Sequence, residues 1–281
     1  MTLGPLIGQG RTAEIYAYES DKVIKLYHSH IDESWIDHEH KINQIANQYN
    51  CPSPKVYEKI KIEERVGIIF ERIDGSTVTD LLKKPWNKAE HIAMRTAAVH
   101  ANIHKVSFGS SGHPFDENSI DLPRQNDYFK SKINDTDALS PEEKSEIIDY
   151  LSRLPEKLIL CHGDLHTDNY IVMNRKHYVI DWTNAYIGNP ASDIARSLLM
   201  MESPYGKEFL PPLIRPFISF IVHAYNKSFL RTYLSINNIK QGEINAWRLP
   251  VAAARLHENV PEEREWLLSI IQKELEKEKY H

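Results

Sequence analysis

Cysteine is scarce: 281 residues hold only Cys51 and Cys161, far apart and without a CxxC pair. Such usage excludes a disulfide framework and a cysteine-based zinc site, and it suits a reducing compartment. A long apolar run is also missing. The richest stretch, Pro211 to Phe229, is interrupted by Arg215, Pro216, His223 and Lys227, too often for a bilayer span. The opening Met1-Thr2-Leu3-Gly4-Pro5 has neither the basic segment nor the apolar core of a secretory signal. A cytoplasmic protein with no membrane partner is therefore expected. Positive charge is not in excess: the net charge is -5, which gives no electrostatic ground for a nucleic-acid partner. Internal repeats and low-complexity segments are absent as well.

What is present describes a folded chain. Hydrophobic residues make up 41% and charged residues of both signs 26%, enough for a sizeable core in one large domain or two lobes. Glu14-Ile15-Tyr16-Ala17-Tyr18 and Val23-Ile24-Lys25-Leu26-Tyr27 are β-branched and aromatic runs around the turn Glu19-Ser20-Asp21-Lys22, which predicts a hairpin. Trp35 to Tyr49 carries Trp35, Ile36, Ile42, Ile45 and Ala46 at helical spacing and stops at Cys51-Pro52-Ser53-Pro54. Val56 to Ile62 and Val66 to Phe70 predict a second hairpin. Helices then dominate. One covers roughly residues 88–105 by its spacing, and Ser140-Pro141-Glu142-Glu143 and Pro261-Glu262-Glu263 open two others. The Glu262, Glu263 and Glu265 cluster reads as acidic residues placed to suit a helix dipole. Ser107 to Asp127, rich in Gly, Ser, Pro and Asn, is expected to be a loop. The class expected is α+β, with a β-rich lobe over 1–74 and a mainly helical lobe over 75–281. Two lobes make a cleft the natural place for a ligand.

One run concentrates the chemistry. The strand-like Leu158-Ile159-Leu160-Cys161 feeds into His162-Gly163-Asp164-Leu165-His166-Thr167-Asp168-Asn169. Tyr170-Ile171-Val172, a polar turn and Tyr178-Val179-Ile180-Asp181 follow. This pattern puts two carboxylates and an amide at one rim of a hairpin. Phosphoryl transfer needs such a set: one carboxylate for the hydroxyl nucleophile, and oxygen ligands for Mg²⁺. His162 and His166 are four apart, but a zinc pair at that spacing needs a helix and a Glu after the first His, and Gly163 stands there instead. His166 then reads as a loop-packing residue.

His-Gly-Asp-Leu-His-x-x-Asn, then Val-Ile-Asp-Trp, then Gly-x-Pro-x-x-Asp in this order resembles the aminoglycoside phosphotransferase and choline kinase superfamily, with its protein-kinase-like, two-lobed fold. The resemblance runs from Ile7 to about Leu256. It implies that Asp164 is the catalytic base and that Asn169 and Asp181 are the Mg²⁺ ligands. It makes His162 a support of the catalytic loop and Asp193 a structural carboxylate that braces it. In the amino-terminal lobe it implies Gly8 and Gly10 at the phosphates and Lys25 as the α/β-phosphate lysine. Glu39 is the partner of Lys25, with Glu33 as the competing choice, and the backbone of Glu71 and Ile73 meets adenine at a hinge. The cofactors implied are ATP, with GTP as the variant, and Mg²⁺. The partner implied is a small hydroxyl acceptor, bound by a monomer or weak dimer.

Departures narrow the reading. Protein kinases carry Arg where Gly163 stands, and only Trp182 to Asn189 separate Asp181 from Pro190, too few for an activation segment. A small-molecule kinase is the expectation. The acceptor is an aminoglycoside-like compound or a metabolite such as a sugar, an amino alcohol or homoserine. A nucleotide-binding pseudokinase is the non-enzymatic alternative. Trp182-Thr183-Asn184 and Asn189 stand where the family more often has acidic residues, which separates acceptor choice from the family name. Asp127, Glu258 and Glu262 are the residues placed to meet a cationic acceptor.

Overall fold

The computed structural model describes residues 3–10, 12–83, 88–109, 122–205 and 211–279. Strands β1 (Leu6–Gln9), β2 (Ala13–Tyr18) and β3 (Lys22–Tyr27) run into helix α1 (Glu33–Gln48), followed by β4 (Val56–Ile62) and β5 (Arg65–Glu71). These five strands pair antiparallel in the order β1-β2-β3-β5-β4. Period-two alternation explains why β3 lies central. Ile24 and Leu26 face one side with Ile69, while Tyr27 faces the other with Ala13, Ile68 and Ile36 of α1, so both faces are buried. Lys25, in phase with Tyr27, points to the α1 side. Helix α1 begins at Glu33 because the Asp32 carboxylate accepts from the Ser34 N–H at 2.8 Å.

The chain continues through β6 (Ser76–Thr77), α2 (Val78–Lys83), α3 (Ala89–Ile103), α4 (Gln125–Asp135) and α5 (Pro141–Arg153). A capping box opens α5, Ser140 Oγ accepting from the Glu143 N–H and the Glu143 carboxylate from the Ser140 N–H. Next come β7 (Ile159–Cys161), β8 (Tyr170–Met173), β9 (Lys176–Val179) and β10 (Tyr186–Gly188), then α6 (Pro190–Glu202), α7 (Arg215–Asn237), α8 (Gln241–Asn245), α9 (Arg248–Arg255) and α10 (Pro261–Lys279). Strand β8 pairs with β6 and β9, and β7 with β10. The expected loop over 107–127 is corrected at its end, since Gln125 to Asp127 form the first turn of α4. Its middle, 110–121, lies outside the described residues.

Two compact units result, one of Met1–Leu81 with Thr167–Asn184, the other of Leu82–His166 with Ala185–His281. The first contains the five-stranded sheet, the β6-β8-β9 sheet and α1; the second is mainly helical and holds the β7–β10 pair, an α+β composition. In the helical unit α3 and α7 pack side by side. Leu267, Ile271 and Leu275 of α10 are buried. Among the described residues no helix is long and apolar enough to cross a membrane.

Candidate active site

In the sheet-containing unit, Lys25 is the centre. Its ammonium donates to Glu39 Oε1 at 2.5 Å and lies 3.7 Å from Asp181 Oδ1. Glu39 is buried at 1% exposure, whereas Glu33, one and a half turns earlier, is exposed. Burial disfavours the Lys25 charge, but Glu39 and Asp181 outweigh it and raise the ammonium pKa. The Tyr27 hydroxyl and the second Glu39 oxygen are buried without a hydrogen-bond partner among the described residues.

Asn169 and Asp181 stand at one end of the β8–β9 ladder. Tyr170 pairs with Val179, and just beyond them the Ile180 N–H donates to the Asn169 carbonyl at 3.1 Å. Asp181 follows in the left-handed region at φ 65°. A non-glycine residue there costs about 1–2 kcal/mol, a strain that persists where surroundings enforce it and that gathers at functional sites. The Thr183 hydroxyl donates to Asp181 Oδ1 at 2.9 Å. A carboxylate and an amide are hard oxygen donors and fit Mg²⁺. Gly8 and Gly10 need no glycine for packing. A Cβ at Gly8 would touch Ile15 at 3.5 Å and one at Gly10 the Ala13 carbonyl at 3.6 Å, both ordinary contacts. At the strand end, the Glu71 N–H donates to the Lys55 carbonyl at 2.8 Å and the Ile73 carbonyl accepts from the Gly75 N–H at 3.0 Å.

In the helical unit the loop after β7 is held by Asp193, the fourth residue of α6. Its Oδ2 accepts from the His162 N–H at 2.8 Å, His100 Nε2 at 3.0 Å and His104 Nε2 at 3.1 Å, and its Oδ1 from the Gly163 N–H at 2.9 Å. Burial alone would raise this carboxyl pKa; the two histidines and the hydrogen bonds hold it well below the usual range. Gly163 has φ 78°, which a side chain would strain. The Asp164 N–H donates to His162 Nδ1 at 3.2 Å. His162 therefore supports the loop through its ring, and its Nδ1 is an acceptor. His100, His104 and Asp193 are close enough together to ligate a metal, but the histidine Nε2 atoms already donate to the carboxylate.

Asp164 itself is fixed by a residue that the motifs do not reveal. Arg196 Nη2 donates to Asp164 Oδ1 at 2.7 Å and to Glu258 Oε1 at 2.5 Å. Arg255 donates to the other oxygen of Glu258 and, through Nε, to Glu263 Oε2 at 2.7 Å. Glu258 is thus already engaged by two arginines, which corrects its expected part in meeting a cationic acceptor. Glu263 is buried at 1% exposure, so this member of the acidic cluster anchors an ion pair rather than decorating a helix start. One signal in the sequence pointed to Arg196: a cation inside Pro190–Leu199, otherwise apolar or small save for Asp193, needs a buried anion.

Comparison with known proteins agrees with this geometry. The model of the phosphotransferase enzyme family matches residues 5–221, most of the chain, so the protein belongs to that family. A comparison with curated protein sequences returns no match. Among solved structures, a thermostable mutant of aminoglycoside phosphotransferase APH(4)-Ia in apo form is similar at TM-score 0.64 and 16% identity, with 98% of this chain and 95% of that one covered. The amicoumacin kinase hAmiN, in complex with AMP-PNP, Ca²⁺ and Ami, gives 0.61 and 14%, covering 98% and 88%. A putative fructosamine-3-kinase from Haemophilus somnus 129PT gives 0.61 and 18%, covering 98% and 91%. At these identities the likeness establishes the kinase-like fold. By fold and family, this chain is a phosphotransferase.

Proposed function

We propose that the protein is a cytoplasmic small-molecule kinase that transfers the γ-phosphate of ATP to a hydroxyl of a small acceptor. The observation that carries the reading is the buried Lys25–Glu39 pair with Asp181 beside it, on a chain whose family is one of phosphotransferases. Lys25 binds the α- and β-phosphates, Glu39 keeps its side chain in place, and the backbone near Gly8 and Gly10 approaches the phosphates. The Glu71 carbonyl and the Ile73 N–H receive adenine. Asn169 and Asp181 would hold Mg²⁺, which, when bound, neutralises charge on the phosphate oxygens. The nucleotide analogue and ADP complexes of similar structures support a nucleoside triphosphate as donor.

Asp164 orients the acceptor hydroxyl and takes its proton. The acceptor oxygen forms a bond to the γ-phosphorus as the bond to the bridging β–γ oxygen breaks, and ADP leaves with that electron pair. His162 and Asp193 keep the Asp164 backbone in position. The test is ADP release over a panel of hydroxyl compounds, with nucleotide affinity measured by calorimetry. Asp164→Ala is expected to abolish transfer and leave ATP affinity nearly intact; most of the activity surviving in Asp164→Ala would refute the mechanism.

A further inference from the structure

The groups around Asp164 also bear on which acceptor this kinase takes, an inference that rests on the reading above. Three cations, Arg196, Arg255 and Lys132, stand with three carboxylates, Asp164, Glu258 and Glu263. Arg196 bridges Asp164 and Glu258, and Arg255 bridges Glu258 and Glu263. Burial would raise the Glu258 pKa, yet the two arginines lower it to about 2. A cationic acceptor could use Glu258 as a counter-charge only by breaking these pairs. Arg196 Nη2 binds Asp164 Oδ1, and the other carboxylate oxygen, Oδ2, lies 4.0 Å from His166 Nε2.

Two polar atoms of the same cluster lack a hydrogen-bond partner among the described residues: the Nε–H of Arg196, which is 3% exposed, and the hydroxyl of Tyr128, which is 8% exposed. The Tyr128 hydroxyl lies in the field of Arg196, Asp164 and Glu258. One turn along α4, the Lys132 ammonium sits 4.6 Å from the centre of the Tyr128 ring. Burial and, next, the Arg196 cation lower the Lys132 pKa to about 8, against Glu258 and Asp164, which raise it. A ligand that brings negative oxygens would satisfy the Nε–H and the hydroxyl.

We propose that Tyr128, Lys132 and the Arg196 Nε–H form an acceptor subsite for an oxyanion, a carboxylate or phosphate ester carried near the reacting hydroxyl. The preferred acceptor is then an anionic hydroxyl compound, with Asp164 receiving the hydroxyl proton and Arg196 lying between the two negative groups.

Four matched probes test this. Gluconate, glucose 6-phosphate, glucose and glucosamine are titrated by calorimetry into the protein saturated with Mg·ADP, and the same four are tried as acceptors with ATP. At least one anionic probe is expected to bind about 10-fold or more tightly than glucose, and glucosamine more weakly than glucose. Gluconate against glucose 6-phosphate distinguishes carboxylate from phosphate. Lys132→Met and Tyr128→Phe should erase the preference while ADP affinity, read in the same titrations, reports that the protein is folded. Glucosamine binding as tightly as the anions, no binding of either anion, or a preference that survives in Lys132→Met would each overturn the proposal. Binding is read without turnover, so absence of all phosphate transfer would sink the kinase reading and still leave the order of affinities to decide this one.

Discussion

Asp193→Asn isolates the brace beneath the Asp164 loop. The wild-type carboxylate is fully buried and accepts four N–H donors, from His162, Gly163, His100 and His104. An asparagine has one acceptor oxygen and a donor NH₂ group, so at least one of those donors meets another donor. That orphaned N–H costs about 1–3 kcal/mol, and each remaining bond loses its charge assistance, about 1 kcal/mol apiece. Removing a buried negative charge returns part of this, because desolvation no longer opposes it. The net is roughly 3 kcal/mol of stability, or about 6–12 °C in melting temperature for a chain of this size. Calorimetric or circular-dichroism melting reads the shift. Transfer should fall with it, because His162 to Asp164 are displaced, while nucleotide affinity, which rests on the sheet-containing unit, stays near the wild-type value. A melting shift below about 2 °C would refute the brace.

Three further outcomes follow from particular contacts. Glu39→Gln removes the charge paired with Lys25 and should lower kcat/KM for ATP about 100-fold, or about 2.7 kcal/mol, while Glu33→Gln on the exposed side of α1 changes it less than about twofold; equal effects in steady-state kinetics would break the assignment. Gly8→Ala should leave the melting temperature unchanged, since its Cβ makes only an ordinary contact with Ile15, yet weaken ATP about 10-fold in calorimetry; unaltered affinity would count against the phosphate role. Glu258 has a folded-state pKa lowered from 4.5 to about 2, so its contribution is fully present above pH 4.5 and is lost as pH falls towards 2. Urea unfolding across that window should show on the order of 3 kcal/mol lost, and a Glu258→Gln protein with the same slope there would contradict the pairing.

Much of this was legible in the chain because local pattern and chemistry agree. Alternation marked β3 and put Lys25 on the face of Tyr27, and the helical phase of Ile36, Ile42 and Ala46 runs through Glu39 and misses Glu33. Ser140 and Pro141 marked the start of α5. The departure at Asn189 also has a local cause: its side chain caps α6 by accepting from the Ala191 N–H at 3.0 Å and donates to the Pro155 carbonyl at 2.9 Å. What stayed hidden depends on contacts between distant positions. Arg196 and Glu258 lie 62 residues apart and His100 and Asp193 93 apart, and no periodicity reports such pairs. Nor does a sequence show that Thr167–Asn184 folds with the amino-terminal segment, which requires knowing that β8 pairs with the two residues of β6. The left-handed Asp181 follows from the close of the β8–β9 ladder and has no local mark.

The energetics of Arg196 argue that its role is placement. Bringing a guanidinium out of water costs several kcal/mol even after relaxation, and a buried ion pair seldom exceeds an apolar packing of equal volume in stability. Arg196 is 3% exposed and still leaves its Nε–H without a partner among the described residues, so the fold carries this cost and does not recover all of it. A surface lysine would neutralise Asp164 more cheaply but would not fix one rotamer. The planar fork does: with Glu258 on the same nitrogen and Arg255 locking Glu258 in turn, Oδ1 of Asp164 is tied down. Transfer rates are sensitive to displacements of about 1 Å in a reacting group, which is the precision that such a network supplies. Arg196 therefore belongs with Asp193 as a second, independent constraint on the same carboxylate, one acting through the loop backbone and the other through the side chain.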